Sequence, residues 1–520
     1  MLRTTGRSGC GRVVVPESRR AALRAGGWWG DHCLLDWWQL AVAASPDALA
    51  VVDRRGERLT YAEVNERSSR LAGWLVETGV RPGETIGVQL PAWTDFLVTF
   101  VAIMKAGAVV TPLATNLRRT ELSHAIDACS MRLLVMPTCF RRTDYGPLAA
   151  DLIASRNPLE RVLFVGEGRS ASGLYISDAV ASGPLLARGD WVHADGDDVA
   201  AILFTSGSEA DPKGVMLTHN NLIASEVAFA YALRLGPEDR MLMPAPLGHA
   251  TGFMHGVIMP MLTRGTSLLC DSTDGSEMAA MIRRHGATCG MSVPSVIDSL
   301  LCVCETTKGG LESVRFLCCG GSPVPRRLLE RARALGVRLY SVYGSTESAP
   351  HTLTSACDTD ERVLTTDGRA CPGTEIRVVD PKTRRTLPPG VEGEEASRGP
   401  AVFAGYLGRP DLTRAVLDDD GWYYSGDLAV MDADGYVRIT GRRSDVINRG
   451  GEKISPTEIE RVLMSHPAVR AAAVVGMPDE VMGQRACAYL VARGDAERLG
   501  VPALVDYFVG LGIAKFKIPE

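Results

Sequence analysis

Thr60-Tyr-Ala-Glu63 places a hydroxyl three residues ahead of a carboxylate, and Val64, Leu71 and Leu75 follow at helical spacing. That pattern predicts a helix opened by a capping box. Thr85 to Leu90 reads as a strand, Trp93 to Lys105 as a helix, and Ala108 to Pro112 as another strand. The alternation returns later. Arg315 to Cys319 is a short apolar run closed by Gly320-Gly321, Pro325 opens a helix through Leu335, and Val337 to Tyr343 forms a strand. Repeated strand–helix–strand units predict parallel sheets covered by helices on both faces, with ligand loops at strand C-terminal ends.

The texture changes past Leu364. Glu375 to Val379 alternates as a strand, Pro388 to Glu394 is rich in turn residues, and Asp434-Gly435 precedes the strand Tyr436 to Thr440 as a hairpin signal. A β-rich subdomain is expected over about residues 364–443. After Ser444 a new unit begins, with a helix from Pro456 to Met464 and a strand from Val469 to Val475. The fold class is therefore α/β: a large N-terminal domain over residues 25–443 and a small α+β domain over 444–520.

Length supports this division, because 520 residues exceed one ordinary domain. A net charge of −5 argues against a nucleic-acid-binding surface. The most apolar run, Phe96 to Met104, is too short to span a membrane and is stopped by Lys105. Thirteen cysteines include no C-x-x-C pair, and Cys318-Cys319 and Cys302/Cys304 sit in apolar runs. Buried reduced thiols and a cytoplasmic location are expected. Residues 1–24 are rich in arginine, and Val13-Val14-Val15-Pro16 interrupts any helical period, so a flexible solvated extension is expected there.

Chemistry enters at Leu203-Phe-Thr-Ser-Gly-Ser-Glu-Ala-Asp-Pro-Lys-Gly214, where an apolar run ends in hydroxyls, glycine and one lysine. Backbone N–H groups with Thr205, Ser206, Gly207, Ser208 and Lys213 suit a phosphate, although Walker A spacing is absent and a solvated turn has similar composition. Four more segments accompany it: Tyr343-Gly-Ser-Thr-Glu-Ser348, Tyr424-Ser-Gly-Asp-Leu428, Gly441-Arg442-Arg443-Ser444-Asp445, and Gly450 to Glu460.

In this order, over about Arg19 to Glu520, the set resembles the adenylate-forming superfamily of acyl-CoA synthetases, aryl-CoA ligases, luciferases and adenylation domains. Arg19 to Asp31, Met243 to Phe253 and Glu394 to Pro400 are most similar to bacterial short- and medium-chain fatty-acid–CoA ligases. The resemblance implies a two-step reaction. A carboxylic acid and ATP give acyl-AMP and pyrophosphate, and coenzyme A then takes the acyl group and releases AMP. Cyclohexanecarboxylate or aryl acids, a carrier-protein acceptor, and a nucleotide- or acyl-binding protein with weak turnover are the alternatives.

The same resemblance assigns roles. Thr205, Lys213, His249 and Glu347 fall at catalytic positions, Glu347 as the Mg²⁺ ligand. Ser206, Gly207, Ser208, Gly320, Gly321, Tyr343, Gly344, Thr346, Asp427, Arg442, Gly450 and Gly451 fall at cofactor-binding positions. Asp427 would hold ribose, Tyr343 would flank adenine, and Gly450-Gly451 would border the pantetheine path. His249 would gate the acyl pocket, whose walls would include the Gly320-Gly321 turn. Ser208-Glu209-Ala210 departs from the family's usual Thr-Thr-Gly, and Ser444 stands where Asp or Lys is usual at the hinge. The family's Gly-Lys motif lies beyond Lys515-Phe-Lys-Ile-Pro-Glu520. An incomplete small domain and weak adenylation are therefore expected of the chain as given. Its acid preference and oligomeric state stay open.

Overall fold

The computed structural model describes residues 15–166, 173–205, 212–449, 452–479, 482–494, 499–511, 513 and 515–520. Its two large sheets each carry six parallel strands. In the nine-stranded sheet these are Leu49–Asp53, Thr266–Leu269, Arg240–Met243, Cys289–Ser292, Phe316–Gly320 and Arg338–Ser345 in spatial order. Antiparallel strands finish both edges: Arg58–Thr60 beside Leu49–Asp53, and Ala349–Leu353 beside Arg338–Ser345. The eight-stranded sheet places Val199–Thr205 beside Val109–Pro112 and Thr85–Val88 in parallel. Lys213–Thr218 then turns back antiparallel, and Gly405–Tyr406 adds to that edge.

Thr60 caps the helix Tyr61–Glu77, its side chain accepting from the Glu63 N–H. The helix Thr94–Lys105 is buried at every position but Asp95, which explains why its sequence shows no polar face. It contributes Phe96, Phe100 and Ile103 to one core with Val51 and Met243 from the nine-stranded sheet and Ile86, Val110 and Ala201 from the eight-stranded one. That shared core fixes the two sheets against each other and hence the spacing of their strand ends. Burying each of these large apolar side chains contributes about 1.5–3 kcal/mol.

A four-stranded antiparallel sheet of Glu375–Val379, Gly393–Arg398, Tyr423–Met431 and Val437–Arg442 forms the β-rich part. The last unit pairs Ile447–Arg449 with Glu452–Ile454 and Gly483–Ala492, and Gly483–Ala492 with Val469–Asp479. Helices Pro456–Ser465 and Val501–Gly510 close a core that includes Ile447, Ile459, Leu463, Leu504 and Phe508. Ser455 Oγ donates to the Thr440 carbonyl at 2.6 Å, fastening this unit to the β-rich sheet.

Two expectations need correction. The first 24 residues are not a solvated extension throughout, because Glu17–Ala25 is helical and Pro16 sits at its N-cap instead of breaking it. Arg19 donates to the Val402 carbonyl at 2.6 Å, while Arg20 and Arg24 pair with Asp197. The arginines thus have acceptors on the body of the protein. Cys304, Cys318 and Cys319 are buried as expected, but Cys302 is exposed. Two residues along the helix Pro294–Thr307 rotate the side chain by roughly 200°, so Cys302 faces outward beside Arg331 when Cys304 faces in. Among the described residues no helix is long and apolar enough to cross a membrane.

Candidate active site

The strand Val199–Thr205 ends at Thr205, and the antiparallel strand after it begins at Lys213, which pairs with Thr205 in register. Ser206, Gly207 and Ser208 lie outside the described residues, as do Gly450 and Gly451. His124 Nε2 lies 2.9 Å from the Pro212 carbonyl and fixes the chain just before Lys213. The Lys213 ammonium stands over the Tyr406 ring, 5.6 Å from its centroid.

Across from it, Arg338–Ser345 and Ala349–Leu353 form a hairpin with Thr346, Glu347 and Ser348 at its turn. Glu347 therefore sits on a hairpin turn at the end of a parallel strand and not on a helix start. The Tyr406 hydroxyl donates to Glu347 Oε1 at 2.8 Å, and the Glu347 carbonyl accepts from the Phe403 N–H at 2.6 Å. Gly344 has no room for a side chain, since a Cβ there would lie 2.1 Å from the Ala349 carbonyl oxygen. Ala349 itself adopts φ +58°, a left-handed conformation that costs an alanine about 1–2 kcal/mol. Strain of this kind concentrates where the surrounding structure holds a turn in one form.

The β-rich sheet brings the third part. The Tyr343 hydroxyl donates to Asp427 Oδ2 at 2.8 Å, and Arg442 Nε lies 3.0 Å from Asp427 Oδ1. Burial raises the Asp427 pKa, Arg442 and the Tyr343 hydroxyl oppose that rise, and Glu395 adds to it. Burial also pushes the Tyr343 phenol well above its usual value, reinforced by Glu395 and Asp427. A chain of polar contacts runs behind the turn. Ser345 Oγ and Ser348 Oγ are 3.1 Å apart, Ser348 Oγ meets His351 Nε2, and His351 Nδ1 lies 3.3 Å from Glu395 Oε1. His351 and Glu395 are fully buried.

The structure thus joins Lys213 to Glu347 through Tyr406, and Tyr343 to Asp427 and Arg442. Thr346 and Gly344 belong to the same hairpin as Glu347. His249 stands apart, as N-cap of Ala250–Phe253, accepting from the Thr251 N–H at 3.3 Å. Gly248 lets this segment approach Leu113 and Ala114, where a Cβ would fall 2.2 Å from the Ala114 nitrogen. The His249 side chain is exposed, yet the protein around it desolvates the imidazole enough to lower its pKa. Gly320 closes its strand against the Val342 carbonyl, and Gly321 turns away with φ +79°.

Tyr406, Ser348, His351 and Glu395 escape sequence reasoning. Tyr406 follows a glycine in a loop-like stretch. Glu395 sits beside Glu394 in a strand where both acids are buried, against the alternation that a strand with one solvated face would show.

Comparison with known proteins defines the class. The AMP-binding enzyme family matches residues 38–407, and its C-terminal domain matches residues 458–520. The chain belongs to this family, as its five motifs lead one to expect. Among individual relatives, the medium-chain fatty-acid–CoA ligase of Escherichia coli (strain K12) is 43% identical over 509 residues, 98% of this chain and 89% of that protein. The feruloyl-CoA synthase of an Amycolatopsis species is 34% identical, covering 92% of this chain and 91% of that protein. The crystal structure of ATP-bound MatB from Rhodopseudomonas palustris superposes with a TM-score of 0.83 at 29% identity, covering 94% of each chain.

Proposed function

We propose that this protein is an AMP-forming acid–CoA ligase acting on medium-chain fatty acids. The observation that carries this reading is the pair of tyrosine contacts by which Tyr406 links Lys213 to Glu347 and Tyr343, on the strand leading into the Glu347 turn, meets Asp427, in a chain 43% identical to a medium-chain fatty-acid–CoA ligase along 98% of its length. Feruloyl-CoA synthase at 34% identity keeps an aryl acid as the second reading.

The first step brings a carboxylate to the α-phosphorus of ATP, forming the acyl–phosphate bond and expelling pyrophosphate. Both reactants are anions, so positioning and neutralisation of charge carry the catalysis. Thr205, with Ser206, Gly207 and Ser208, would hold the β- and γ-phosphates, and Lys213 would supply a cation held over Tyr406. Asp427 would accept from the ribose hydroxyls, Arg442 would bind beside it, and Tyr343 would flank the base. Thr346 would touch the α-phosphate. His249 would border the carboxylate, with Gly320 and Gly321 lining the acyl path.

Glu347 fits a magnesium ligand: a hard carboxylate oxygen on a strand-end turn, with Tyr406 fixing its orientation through Oε1. Bound Mg²⁺ would neutralise phosphate charge there. In the second step the coenzyme A thiolate attacks the acyl carbon and AMP leaves, with Gly450 and Gly451 bordering the pantetheine. Buried, reduced thiols such as Cys318 and Cys371 suit a cytoplasmic setting.

The test is a panel of straight-chain acids from butyrate to dodecanoate, with benzoate, ferulate and cyclohexanecarboxylate, each assayed for AMP and pyrophosphate with ATP and coenzyme A. Turnover concentrated on the medium-chain acids supports the proposal. Preference for ferulate or benzoate moves the protein to the aryl-acid class.

A further inference from the structure

Ahead of the strand Val199–Thr205, at its opposite end from Thr205, chemistry of another kind gathers at the start of the helix Leu34–Ala44. Cys33 is its N-cap residue, and Asp36, three positions on, accepts the Cys33 N–H at 2.9 Å. His193 reaches the same place from the segment leading into the strand Val199–Thr205. One ligand atom each from Cys33, Asp36 and His193 lies within 4.8 Å of the other two. His193 Nδ1 is 3.6 Å from Asp36 Oδ1, and His32 Nδ1 is 3.7 Å from Asp36 Oδ2, so the two imidazoles approach different oxygens of one carboxylate.

The donor set and its spacing select a class of ligand. Zinc binds thiolate, imidazole and carboxylate at about 2.0–2.3 Å, which places tetrahedral ligand atoms about 3–4 Å from one another. The imidazole–carboxylate separations already match this, and a small adjustment brings the sulfur in. A thiolate beside imidazoles favours a borderline-soft cation over Mg²⁺ or Ca²⁺. The supports are firm on both sides. The Leu34 N–H donates to His219 Nδ1 at 3.2 Å, and the Val192 N–H donates to the Lys105 carbonyl at 3.0 Å. The helix start and the His193 segment are each held before any metal arrives.

The N-cap itself points the same way. Serine, threonine, aspartate and asparagine are the good caps, and cysteine is not among them. The bland account is a cysteine that merely ends a helix beside an Asp–His ion pair. It explains the carboxylate, and it leaves the buried sulfur as a weak acceptor for the Asp36 N–H, but it does not explain why His193 is brought within 4.8 Å of that sulfur.

We propose that Cys33, Asp36 and His193 form a site for a thiophilic divalent cation of the Zn²⁺ class, with water as the fourth ligand. A cation there ties the helix Leu34–Ala44 to the chain entering the nucleotide-side sheet, remote from Glu347 and independent of the ligase reading.

The full chain, stripped of metal, is titrated with Zn²⁺ by chelator competition and with Co²⁺ by absorption. One equivalent of Co²⁺ is expected to give a near-ultraviolet sulfur-to-cobalt charge-transfer band, and Zn²⁺ is expected to raise the melting temperature. Cys33→Ser provides the clean variant, because serine keeps the cap and removes only the soft donor. It should abolish the band and weaken Zn²⁺ binding by more than about tenfold, with an unchanged melting temperature in chelator. His193→Ala should weaken Zn²⁺ binding likewise, whereas Cys139→Ser, at an exposed cysteine elsewhere, should change nothing. A band that survives Cys33→Ser, or no uptake of one equivalent at micromolar metal, overturns the site and leaves the helix cap with its ion pair.

Discussion

Tyr406 donates its hydroxyl to Oε1 of Glu347 at 2.8 Å, and this one bond connects the two large sheets at their functional ends. Tyr406 belongs to the edge of the eight-stranded sheet, while Glu347 turns the last hairpin of the nine-stranded one. With Lys213 over the same ring, the phenol has a cation near its face and a carboxylate at its hydroxyl. A spacing between opposite charges is thereby set by packing and not by two long flexible side chains.

Tyr406→Phe tests that relationship. The ring and its contacts with Phe403 remain, at 4.9 Å between centroids, and the bond to the carboxylate is lost. Hydrogen bonds to charged groups contribute about 1.5–3 kcal/mol, so pyrophosphate release should fall roughly ten- to hundredfold. The melting temperature should stay near that of the parent. Unchanged turnover would show that Glu347 holds its orientation without the phenol.

Glu347→Gln should be more damaging. The amide keeps the shape of the turn and can still accept from Tyr406, but it loses the charge and hardness that a magnesium ligand needs. Acid-dependent pyrophosphate release is expected to drop by about 10²–10³, the scale for losing one preorganised electrostatic group, while AMP binding measured by calorimetry persists. Full turnover across a Mg²⁺ titration would remove Glu347 from the metal-binding role.

The motifs around Thr205, Glu347 and Asp427 were legible because each pairs a strand-like run with residues whose chemistry suits a nucleotide. The strand–helix alternation was legible because parallel sheets bury whole runs, as in Phe316–Gly320. Contacts between sheets were not. Tyr406 and Glu347 are 59 positions apart, and Tyr343 and Asp427 are 84 apart. Local pattern carries no record of such pairings. Glu395 shows the same limit: its full burial depends on His351 and Tyr343, both supplied by the neighbouring sheet. The N-terminal helix was missed because its arginines look solvated until Val402 and Asp197 are placed beside them.

Lys105 yields a prediction about stability and pH. Its ammonium is buried with four oxygens at 2.8 Å to share its three N–H donors, the Asn65 carbonyl, Asn65 Oδ1, Ser68 Oγ and Ser69 Oγ. Burial lowers its pKa to about 7, whereas an unfolded lysine titrates near about 10.4. Between those values the unfolded chain binds more protons, so stability should rise with pH, by at most about 1.4 kcal/mol per pH unit for one proton. The four acceptors hold the charged form and make the measured slope shallower. The melting temperature of the parent should climb relative to Lys105→Met from about pH 7 to about pH 9. Parallel curves for the two proteins would mean that the ammonium stays charged throughout.

The ribose role proposed for Asp427 would come with a cost in stability, and pH separates the two. Burial raises its folded pKa, and Arg442 opposes the shift from an exposed position. A raised carboxylate pKa contributes stability that is fully present below the unfolded value of about 3.9. That contribution is lost as pH rises through the folded value, so at neutral pH the parent carries a buried charge as a penalty. Ribose recognition needs that same charge, because only the carboxylate accepts from both hydroxyls. Asp427→Asn should therefore melt at a higher temperature than the parent at neutral pH. It should also bind AMP about ten- to hundredfold more weakly, the equivalent of about 1.5–3 kcal/mol. In the parent, AMP affinity should decline on acidification at a higher pH than an ordinary carboxylate gives, and Arg442→Gln should move that midpoint higher still. Calorimetry across a pH series checks each statement, and equal AMP affinity in Asp427→Asn and parent rejects the ribose role.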